Sequence, residues 1–407
     1  MKILQINCVY EKGSTGKITH DIHCRLLKDG YEGVVCYGRG DDCSHEGVYK
    51  ICSEKAANLN HLRANITGVM YSGAYFSTKK LISVIRKEKP DIVHLQCING
   101  YFVNIYKLVE FLRDNNIRTV LTLHAEFMYT GGCGYALDCD RWAGGNGHGC
   151  GKCPRWRSET GSYFLDRTSS MWKRMKKAFN GFDEKLVVVS VSFWLMERAK
   201  RSSVFEGKRH AVVYNGLNTE IFHPYDTAAL RKKHGITDEK IIFHATAMFN
   251  LNPDHLKGGY YVNELAKRLK GRKMKFFVAG PCAEGTVPDD SIILLGNISD
   301  QAVLAEYYSM ADVTLLTSKR ETYSMITAES LCCGTPVAGF LAGGPESIAI
   351  EQYCDFVEYG RVDLLEEAVL KCLEEGCGDE LVQRAVARYD TKAMTEGYEK
   401  IYESLMV

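Results

Sequence analysis

Two glutamates on either side of a predicted helix start are the residues of this chain best suited to chemistry. Glu321 and Glu329 stand eight positions apart, after an apolar run at 313–316 and before a Cys-Cys-Gly-Thr-Pro-Val turn at 332–337. This order predicts one carboxylate in the loop after a strand and the other about two turns into the following helix. The helix start between them offers backbone N–H groups and a positive dipole end, which suits a ligand that carries phosphate and hydroxyl groups. The simpler alternative is a solvated helix face.

A glycine-bearing loop follows the first predicted strand. In the segment 10–22, Gly13 and Gly16 permit close backbone approach just before a predicted helix, an arrangement that can cradle a phosphate. The glycine spacing is not that of a Walker motif, and Ile18 stands where that motif needs serine or threonine. A tight turn without a ligand is the alternative.

A histidine and a lysine occupy similar positions after other predicted strands. His124 ends the apolar run 119–124, where it is either a simple loop residue or a ligand-binding group. Lys257 opens a predicted helix near 258–270, where its ammonium group can neutralise a diphosphate as a compact point charge. For Lys257 the alternative is a solvated side chain.

Four cysteines lie in a glycine-rich segment at 130–156. The intervals between them are five, ten and two residues, and they are Cys133, Cys139, Cys150 and Cys153. Four thiolates in a protein from a reducing compartment match a tetrahedral structural zinc site, with His148 as a substitute ligand. Reduced thiols on a glycine-rich loop and a disulfide pair are the alternatives.

Apolar runs alternate with amphipathic segments along the whole chain, which predicts parallel sheets built from βαβ units. The predicted strands of the first series are 3–9, 33–38, 91–96, 119–124, 185–190 and 211–215. Those of the second series are 240–247, 275–281, 292–296, 312–317 and 336–340. The pattern favours two doubly wound parallel-sheet α/β domains, at 1–215 and 216–390, and a final helix in 391–407 that packs back on the first domain. Ligands are then expected at the carboxyl edges of the strands.

Composition narrows the class of protein. The chain has 407 residues, of which 45% are hydrophobic and 25% charged, as expected for a globular protein with more than one core. A net charge of +1 gives no support to a nucleic-acid partner. The sequence has neither an apolar run of about 18 residues nor a secretory leader, so we expect a cytoplasmic protein.

One segment has the composition of a membrane-surface helix. Residues 170–179 combine four cations with Met171, Trp172, Met175 and Phe179. Such a basic amphipathic stretch can lie on anionic lipid, so peripheral contact with the cytoplasmic face of the inner membrane is one expectation. An ordinary surface helix is the alternative.

The glutamate segment resembles the donor-binding segment of the retaining family 4 glycosyltransferases. Their pattern has an acidic residue, seven intervening residues, Glu, a Gly-Thr-Pro-Val-type turn, then Gly-Gly and Glu, as in 321–346 of this chain. The segments 190–205 and 214–224 are similar to two further family stretches, and the cysteine-rich segment is similar to one in colanic acid, O-antigen and capsule transferases. The resemblance covers nearly the whole chain and implies the GT-B fold, in which two Rossmann-like domains face each other across a cleft.

The resemblance also implies roles for the donor-binding residues. Glu321 is expected to face the hydroxyl groups of the donor sugar, Glu329 to receive the ribose hydroxyls, and Lys257 to neutralise the diphosphate. The backbone N–H groups expected to face the diphosphate are those of Tyr323, Ser324, Met325 and Ile326. The nucleotide base is expected beside Asn297 and Ile298.

Two residues of the first domain complete the expected site. Gly16 belongs to the family's glycine loop, which faces donor and acceptor, and His124 to its Thr-Leu-His stretch, which places a histidine near the donor sugar. The chain departs from the family where Ala125 and Asn218 replace common aspartates and where no arginine occurs at 248–252. Without that arginine, another cation or a helix dipole must compensate at the diphosphate.

The activity that the resemblance implies is transfer of a sugar from a UDP- or GDP-sugar to an acceptor hydroxyl, with retention at the anomeric carbon. No catalytic cofactor or metal is expected at the donor, because positioned cations and amides stabilise the leaving diphosphate. The expected acceptor is a glycan or lipid-linked oligosaccharide of bacterial surface-polysaccharide synthesis. The alternatives are another enzyme of the same fold, such as a nucleotide-sugar epimerase or a phosphorylase, and a noncatalytic scaffold.

Overall fold

A computed structural model describes residues 1–144, 149–375 and 378–406, and the chain divides into two compact units. The first unit comprises Met1–Val213 together with the chain from Thr395 onward, and the second comprises Tyr214–Met394. Each unit has its own parallel sheet covered by helices.

Seven parallel strands form the sheet of the first unit. They are β1 (Lys2–Asn7), β2 (Glu32–Tyr37), β3 (Val48–Lys50), β4 (Ile92–Leu95), β5 (Arg118–Leu123), β6 (Leu186–Ser190) and β7 (Arg209–Val212). Their order across the sheet is β3-β2-β1-β4-β5-β6-β7, with Leu4 of β1 paired to Val34 on one side and Val93 on the other. The direction of winding therefore reverses between β1 and β4, which is where open α/β sheets bind ligands.

The second unit has six parallel strands. They are β8 (Lys240–Ala245), β9 (Met274–Ala279), β10 (Ile292–Gly296), β11 (Val313–Leu316), β12 (Val337–Phe340) and β13 (Cys354–Val357). The order β10-β9-β8-β11-β12-β13 reverses between β8 and β11, so the loops after these two strands lie side by side at the carboxyl edge. The prediction of two doubly wound parallel-sheet α/β domains is confirmed.

Helices connect the strands of both sheets. Those before the second unit are α1 (Gly13–Lys28), α2 (Glu54–Thr67), α3 (Tyr75–Glu88), α4 (Ile105–Asp114), α5 (Trp156–Thr160), α6 (Thr168–Phe179) and α7 (Phe193–Arg201). Those that follow are α8 (Ala228–Lys233), α9 (Gly259–Arg268), α10 (Gln301–Met310), α11 (Met325–Cys332), α12 (Gly344–Ile348), α13 (Val362–Glu375), α14 (Asp379–Tyr389) and α15 (Thr391–Met406).

The strands are buried because their apolar runs meet helices on both faces. In the second unit, Val313 and Leu315 of β11 are fully buried in one cluster with Val262 of α9 and Leu365 and Val369 of α13. Full burial on both faces explains why these strands read as continuous apolar runs. Burying each such side chain contributes about 1.5–3 kcal/mol, so the sheet is a rigid base for the loops at its edge.

The final helix, α15, packs on the sheet of the first unit through two tyrosines. The hydroxyl of Tyr402 lies 2.7 Å from Nδ1 of His94, and that of Tyr398 lies 3.0 Å from Oγ1 of Thr122. Arg118 Nε donates to the carbonyl of Leu405 at 2.7 Å. These bonds join β4 and β5 to residues that lie 276 to 308 positions further along the chain, and both tyrosine side chains are at most 1% exposed.

Helix α6 buries the apolar side chains on which the expected membrane contact depended. Met171, Trp172, Met175 and Phe179 are each at most 3% exposed, and the indole N–H of Trp172 donates to the carbonyl of Trp142 at 3.0 Å. The expectation that this face lies on lipid is therefore wrong, because its side chains belong to the core. Within the described parts of the chain, no helix is both long and apolar enough to cross a bilayer.

Candidate functional site

The side chains of Lys257 and Glu321 form an ion pair at the carboxyl edge of the second sheet. Lys257 Nζ lies 2.6 Å from Glu321 Oε1, although the two residues are 64 positions apart in sequence. The lysine follows β8 and the glutamate follows β11, the neighbouring strands at which the winding reverses. The side chains are 30% and 14% exposed, so both charges remain accessible to a ligand.

A glycine brings the Lys257 loop into contact with the β11 loop. Gly258 has φ +65°, and a Cβ at this position would stand 2.0 Å from the carbonyl oxygen of Thr317. The hydroxyl of Thr317 donates to the carbonyl of Lys257 at 3.2 Å, and Lys319 N donates to the carbonyl of Leu256 at 2.8 Å. A side chain at residue 258 would force these two loops apart, so glycine is needed there for the ion pair to form.

The backbone of Glu321 is held by the glycine loop that follows β12. Glu321 N donates to the carbonyl of Ala342 at 3.0 Å, and Gly344 N donates to the carbonyl of Glu321 at 2.9 Å. A Cβ on Gly344 would lie 2.5 Å from Tyr323 N, so this approach also requires glycine. The carboxylate of Glu346 accepts hydrogen bonds from Gly343 N at 2.6 Å and Ala342 N at 3.0 Å. The sequence pattern included Glu346 without a role, and the structure shows that it fixes this loop.

Helix α11 begins immediately beside the Glu321 loop. Its N-cap, Ser324, has φ +129°, and its hydroxyl accepts a hydrogen bond from Thr327 N at 3.1 Å. Positive φ is uncommon for a residue other than glycine, and it turns the chain sharply into the helix. Met325 and Ile326 are half-buried in the first turn, where backbone N–H groups have no partner within a helix. The Tyr323 side chain is held by a separate contact, since its hydroxyl donates to the carbonyl of Asn215 at 2.8 Å.

Glu329 lies on α11, one turn beyond the first. It is half-buried, and its Oε2 accepts a hydrogen bond from the hydroxyl of Tyr308 at 3.0 Å. Burial is the main cause that raises the pKa of Tyr308 well above its usual value, so this phenol remains a hydrogen-bond donor. The pair gives the Glu329 carboxylate one fixed orientation.

Asn297 and Ile298 follow β10, the edge strand of the second sheet. Asn297 is exposed and Ile298 half-buried, and neighbouring Gly296 accepts a hydrogen bond from Gly280 N at 2.8 Å. Two strands, β9 and β8, lie between β10 and β11, the strand that precedes the Glu321 loop. Among the described residues, the hydrogen bonds and ion pairs of Lys257 and Glu321 do not reach Asn297 or Ile298.

A buried histidine beneath Lys257 was not singled out from the sequence. His244 of β8 is 2% exposed, and its Nδ1–H donates to the carbonyl of Leu315 at 2.9 Å. Burial lowers its pKa to about 4, and the Lys257 charge acts in the same direction. The imidazole is therefore neutral at pH 7. The signal that could have identified His244 in the sequence is a polar residue inside an otherwise apolar run.

In the first unit, Gly16 lies on α1 and His124 directly follows β5. Gly16 lies within α1, which begins at Gly13 rather than after Gly16 as the sequence predicted. A Cβ on Gly16 would stand 3.1 Å from the Val9 side chain, and its carbonyl accepts a hydrogen bond from Glu11 N at 3.1 Å. The glycine thus lets the helix start pack closely on the loop after β1.

His124 directly follows β5 and is half-buried. Its Nε2–H donates to the side-chain carbonyl of Gln96 at 2.9 Å. Burial lowers the pKa of His124 to about 4, so the ring is neutral at pH 7. A neutral, oriented imidazole can hydrogen-bond a hydroxyl group but does not supply a positive charge.

Glu126 organises the segment that follows His124. Its fully buried carboxylate accepts hydrogen bonds from Arg198 Nε at 2.6 Å, Ala136 N at 2.6 Å and the hydroxyl of Tyr129 at 2.8 Å. A buried carboxylate with this many donors is compensated. Glu126, which follows the departure from the family pattern at Ala125, thus anchors the cysteine-rich segment.

The four cysteines expected to bind zinc are not gathered into a ligand set. Gly131 N donates to Cys150 Sγ at 3.2 Å, and Cys133 is buried. In the described part of the chain, the only group of three His, Cys, Asp or Glu ligand atoms within 4.8 Å of one another lies elsewhere, at Glu11, Cys43 and His45. A tetrahedral thiolate site would need sulfur atoms closer than this, so this arrangement does not support the zinc prediction. His148, the substitute ligand, lies outside the described residues.

Comparison with known families matches both units. A family model described as "Glycosyltransferase Family 4" matches residues 15–221, and one described as "Glycosyl transferases group 1" matches residues 226–389. A curated relative, the putative colanic acid biosynthesis glycosyl transferase WcaC of Escherichia coli K12, is 21% identical over 430 residues, with all of both chains covered.

Solved structures share the fold at low sequence identity. A sucrose-phosphate synthase from Thermosynechococcus elongatus matches with a TM-score of 0.69 and 16% identity, over 100% of this chain and 99% of that chain. Anabaena HepE in complex with UDP matches with a TM-score of 0.67 and 14% identity, over 99% of this chain and 100% of that chain. These likenesses show that the architecture is that of the GT-B glycosyltransferases.

Proposed function

The chain belongs to glycosyltransferase family 4, and from this premise we propose that it is a retaining transferase that moves a sugar from a nucleoside diphosphate to an acceptor hydroxyl. The observation that carries the proposal is the Lys257–Glu321 ion pair, 2.6 Å long, beside the start of α11. A cation, a carboxylate and helix N–H groups at one sheet edge match a diphosphate joined to a sugar.

In the proposed reaction, the bond between the anomeric carbon and the diphosphate oxygen breaks, and the electron pair leaves with the diphosphate. The acceptor oxygen bonds to the same face of that carbon, and its proton passes to the departing diphosphate oxygen. The chain itself supplies stabilisation of the developing negative charge: the Lys257 ammonium and the N–H groups of Tyr323, Ser324, Met325 and Ile326. A metal ion at the diphosphate is not part of the proposal.

Two of the proposed donor contacts use carboxylates that a neighbouring side chain orients. Glu321, oriented by Lys257, would accept hydrogen bonds from sugar hydroxyls. Glu329, oriented by Tyr308, would accept them from the ribose. Asn297 and Ile298 would lie beside the base. No arginine occurs at 248–252, so the dipole of α11 would supply the additional positive potential at the diphosphate.

For the first unit, we assign His124 and Gly16 to the reacting end of the donor and the acceptor. The neutral His124 ring would contact the donor sugar, with its orientation fixed by the Nε2–H bond to Gln96. Gly16 would allow the loop after β1 to approach the ligand closely. Both roles are positioning of the substrates rather than proton transfer.

The proposed donor is a UDP-sugar and the proposed acceptor a lipid-linked glycan at the cytoplasmic face of the membrane. HepE, which shares the fold, has been solved with UDP and with UDP-glucose. WcaC, which matches over the full length, is described as a colanic acid biosynthesis transferase. The likeness to WcaC supports a role in bacterial surface-polysaccharide synthesis.

Nuclear magnetic resonance of the product tests the proposal. Purified protein is incubated with UDP-sugars and lipid-linked glycan acceptors, and we expect a glycosidic bond with the same anomeric configuration as the donor. Slow UDP release without acceptor would support the transferase. An inverted product would contradict retention. An epimerised donor would show that the protein is an epimerase rather than a transferase. Phosphate-dependent cleavage would indicate a phosphorylase, and binding without turnover a scaffold.

A further inference from the structure

Two loops of the first unit bring a carboxylate, a thiol and an imidazole together. The loop after β1 carries Glu11, and the segment between β2 and β3 carries Cys43 and His45. One ligand atom from each of these residues lies within 4.8 Å of the other two. We propose that these three side chains bind a transition-metal ion of the zinc type, a site that the sequence pattern did not reveal.

The separations are close to those that a bound metal requires. Zn²⁺ holds nitrogen and oxygen ligands at about 2.0–2.1 Å, so two ligands of a tetrahedral ion are about 3.3 Å apart. His45 Nδ1 and Glu11 Oε1 are 3.3 Å apart. Cys43 Sγ lies within the same 4.8 Å group. Rotation of exposed side chains by small amounts would complete the ligand geometry.

The backbone that carries the ligands is fixed by bonds that the metal does not provide. The hydroxyl of Tyr37 donates to the carbonyl of Asp41 at 2.8 Å and accepts from Cys43 N at 2.9 Å, which holds the loop against β2. Val48 N donates to the carbonyl of His45 at 3.2 Å. Glu11 has φ +63°, a backbone conformation that is uncommon outside glycine.

A fourth donor lies beside Glu11. His20 of α1 places Nε2 at 3.8 Å from Glu11 Oε1, and Cys24, one turn later, places Sγ at 3.4 Å from the same nitrogen. His20 is therefore the nearest candidate for the fourth coordination position. Coordination by His20 would also connect α1 to the two loops.

Donor chemistry selects the class of ion. Thiolate and imidazole ligands favour zinc and its neighbours over magnesium and calcium, which prefer oxygen ligands. One carboxylate and one thiolate would balance the two positive charges of the ion. The ligands border a cavity of about 220 Å³ whose wall also includes Lys12 and Arg39, so water or an anion can reach the ion.

The location gives the ion a consequence for the protein. The loop after β1 continues into the glycine turn and α1, and the other ligands belong to the connection after β2. A bound ion would join these two loops at the carboxyl edge of the first sheet and restrict the motion of the glycine turn. The inference does not depend on the proposed transfer reaction, because none of its residues belongs to the proposed donor site.

Titration of the metal-free, reduced, full-length protein with Co²⁺ tests the site. We expect a thiolate-to-cobalt charge-transfer band, and the Cys43→Ser variant should lose about one bound ion per chain. His45→Ala and Glu11→Gln should weaken binding about tenfold or more. Cys282→Ser, which removes an exposed cysteine of the second unit, should change nothing.

A wild-type protein without the band would overturn the proposal, as would unchanged stoichiometry in Cys43→Ser. Thermal unfolding gives an independent measurement that also reports whether each variant folds. Zn²⁺ should raise the midpoint of the wild type by mass action and leave that of His45→Ala nearly unchanged. Equal shifts in the two proteins would contradict the assignment, and since the His45 side chain is 59% exposed, its removal should not prevent folding.

Discussion

The ammonium of Lys257 and the carboxylate of Glu321 contact each other at 2.6 Å, across the point where the winding of the second sheet reverses. Each group orients the other before any ligand binds. In the proposed complex the lysine would turn partly to the diphosphate while the glutamate accepts sugar hydroxyls, so one pair would link the two ends of the bond that breaks. This coupling gives the pair a measurable signature.

The first prediction is that substitutions at the pair are not additive. Lys257→Ala and Glu321→Gln should each lower kcat/KM by about 10²–10³-fold, the scale for removal of one preorganised electrostatic group. The double variant should be little worse than either single one, because each substitution already disorders the partner. Steady-state kinetics measures this, with Lys273→Ala as the control, since that lysine is 76% exposed. Fully additive losses would show that the two residues act independently.

The second prediction concerns ribose recognition by Glu329. The wild type should bind UDP about 10–100-fold more tightly than 2′-deoxy-UDP or 3′-deoxy-UDP, as expected for hydrogen bonds to a charged group. Glu329→Gln should reduce this preference to a few-fold, and Tyr308→Phe should reduce it partly, because it removes the bond that orients the carboxylate. Calorimetric titration measures both, and Glu351→Gln, at an exposed position, is the control. A preference unaffected by Glu329→Gln would reject the ribose assignment.

The third prediction separates steric contact from backbone strain at Gly258. Gly258 and Gly235 have similar φ angles, +65° and +60°, but only Gly258 has an atom, the Thr317 carbonyl oxygen, within 4 Å of a built Cβ. Gly235→Ala should cost about 1 kcal/mol of unfolding free energy, the cost of left-handed backbone for alanine. Gly258→Ala should cost several times more and abolish turnover by separating Lys257 from Glu321. Chemical denaturation and kinetics check this, and equal costs would contradict it.

The fourth prediction is a loss of stability in mild acid. Burial lowers the pKa of His94 to about 3 and that of His244 to about 4, from a usual 6.5. Between these values the unfolded chain binds protons that the folded protein does not, so stability falls as pH decreases from 6.5 toward 4.

The two imidazoles together give a slope of roughly 3 kcal/mol per pH unit. His244→Gln should lower the measured slope by about 1.4 kcal/mol per pH unit, as measured by urea denaturation at several pH values, and His61→Gln at an exposed position should leave the slope unchanged. A slope unaffected by His244→Gln would show that this histidine is not held neutral by the fold.

The fold was predictable where apolar runs are long and buried on both faces. β1, β6 and β8 satisfy this condition, and the sequence located each within two residues of its ends. β3 and β13 were missed because both are short edge strands whose residues are mostly half-buried, and they therefore lack a continuous apolar run. Edge strands are stabilised by pairing with a neighbouring strand, and a local sequence pattern carries no information about that pairing.

The site was only partly predictable for a related reason. The motif placed Glu321 and Glu329 correctly about a helix start, since that order is local. The contact of Glu321 with Lys257 depends on β8 lying next to β11, and strand order is a property of the whole sheet. The amphipathic pattern of α6 likewise did not reveal that its apolar face meets the core. Four cysteines close in sequence did not form a ligand set, whereas Glu11 and Cys43, distant in sequence, approach each other.

Calorimetric titration with UDP is the most direct test of a nucleotide-sugar site at Lys257 and Glu321, because it measures donor recognition without needing the acceptor. We expect saturable binding of about one UDP per chain. Lys257→Ala should weaken this binding about tenfold or more, as expected for loss of a charged hydrogen bond, and Lys273→Ala should leave it unchanged. The absence of binding to UDP and to the other nucleoside diphosphates, or equal affinities in Lys257→Ala and the wild type, would contradict a nucleotide-sugar site at Lys257 and Glu321.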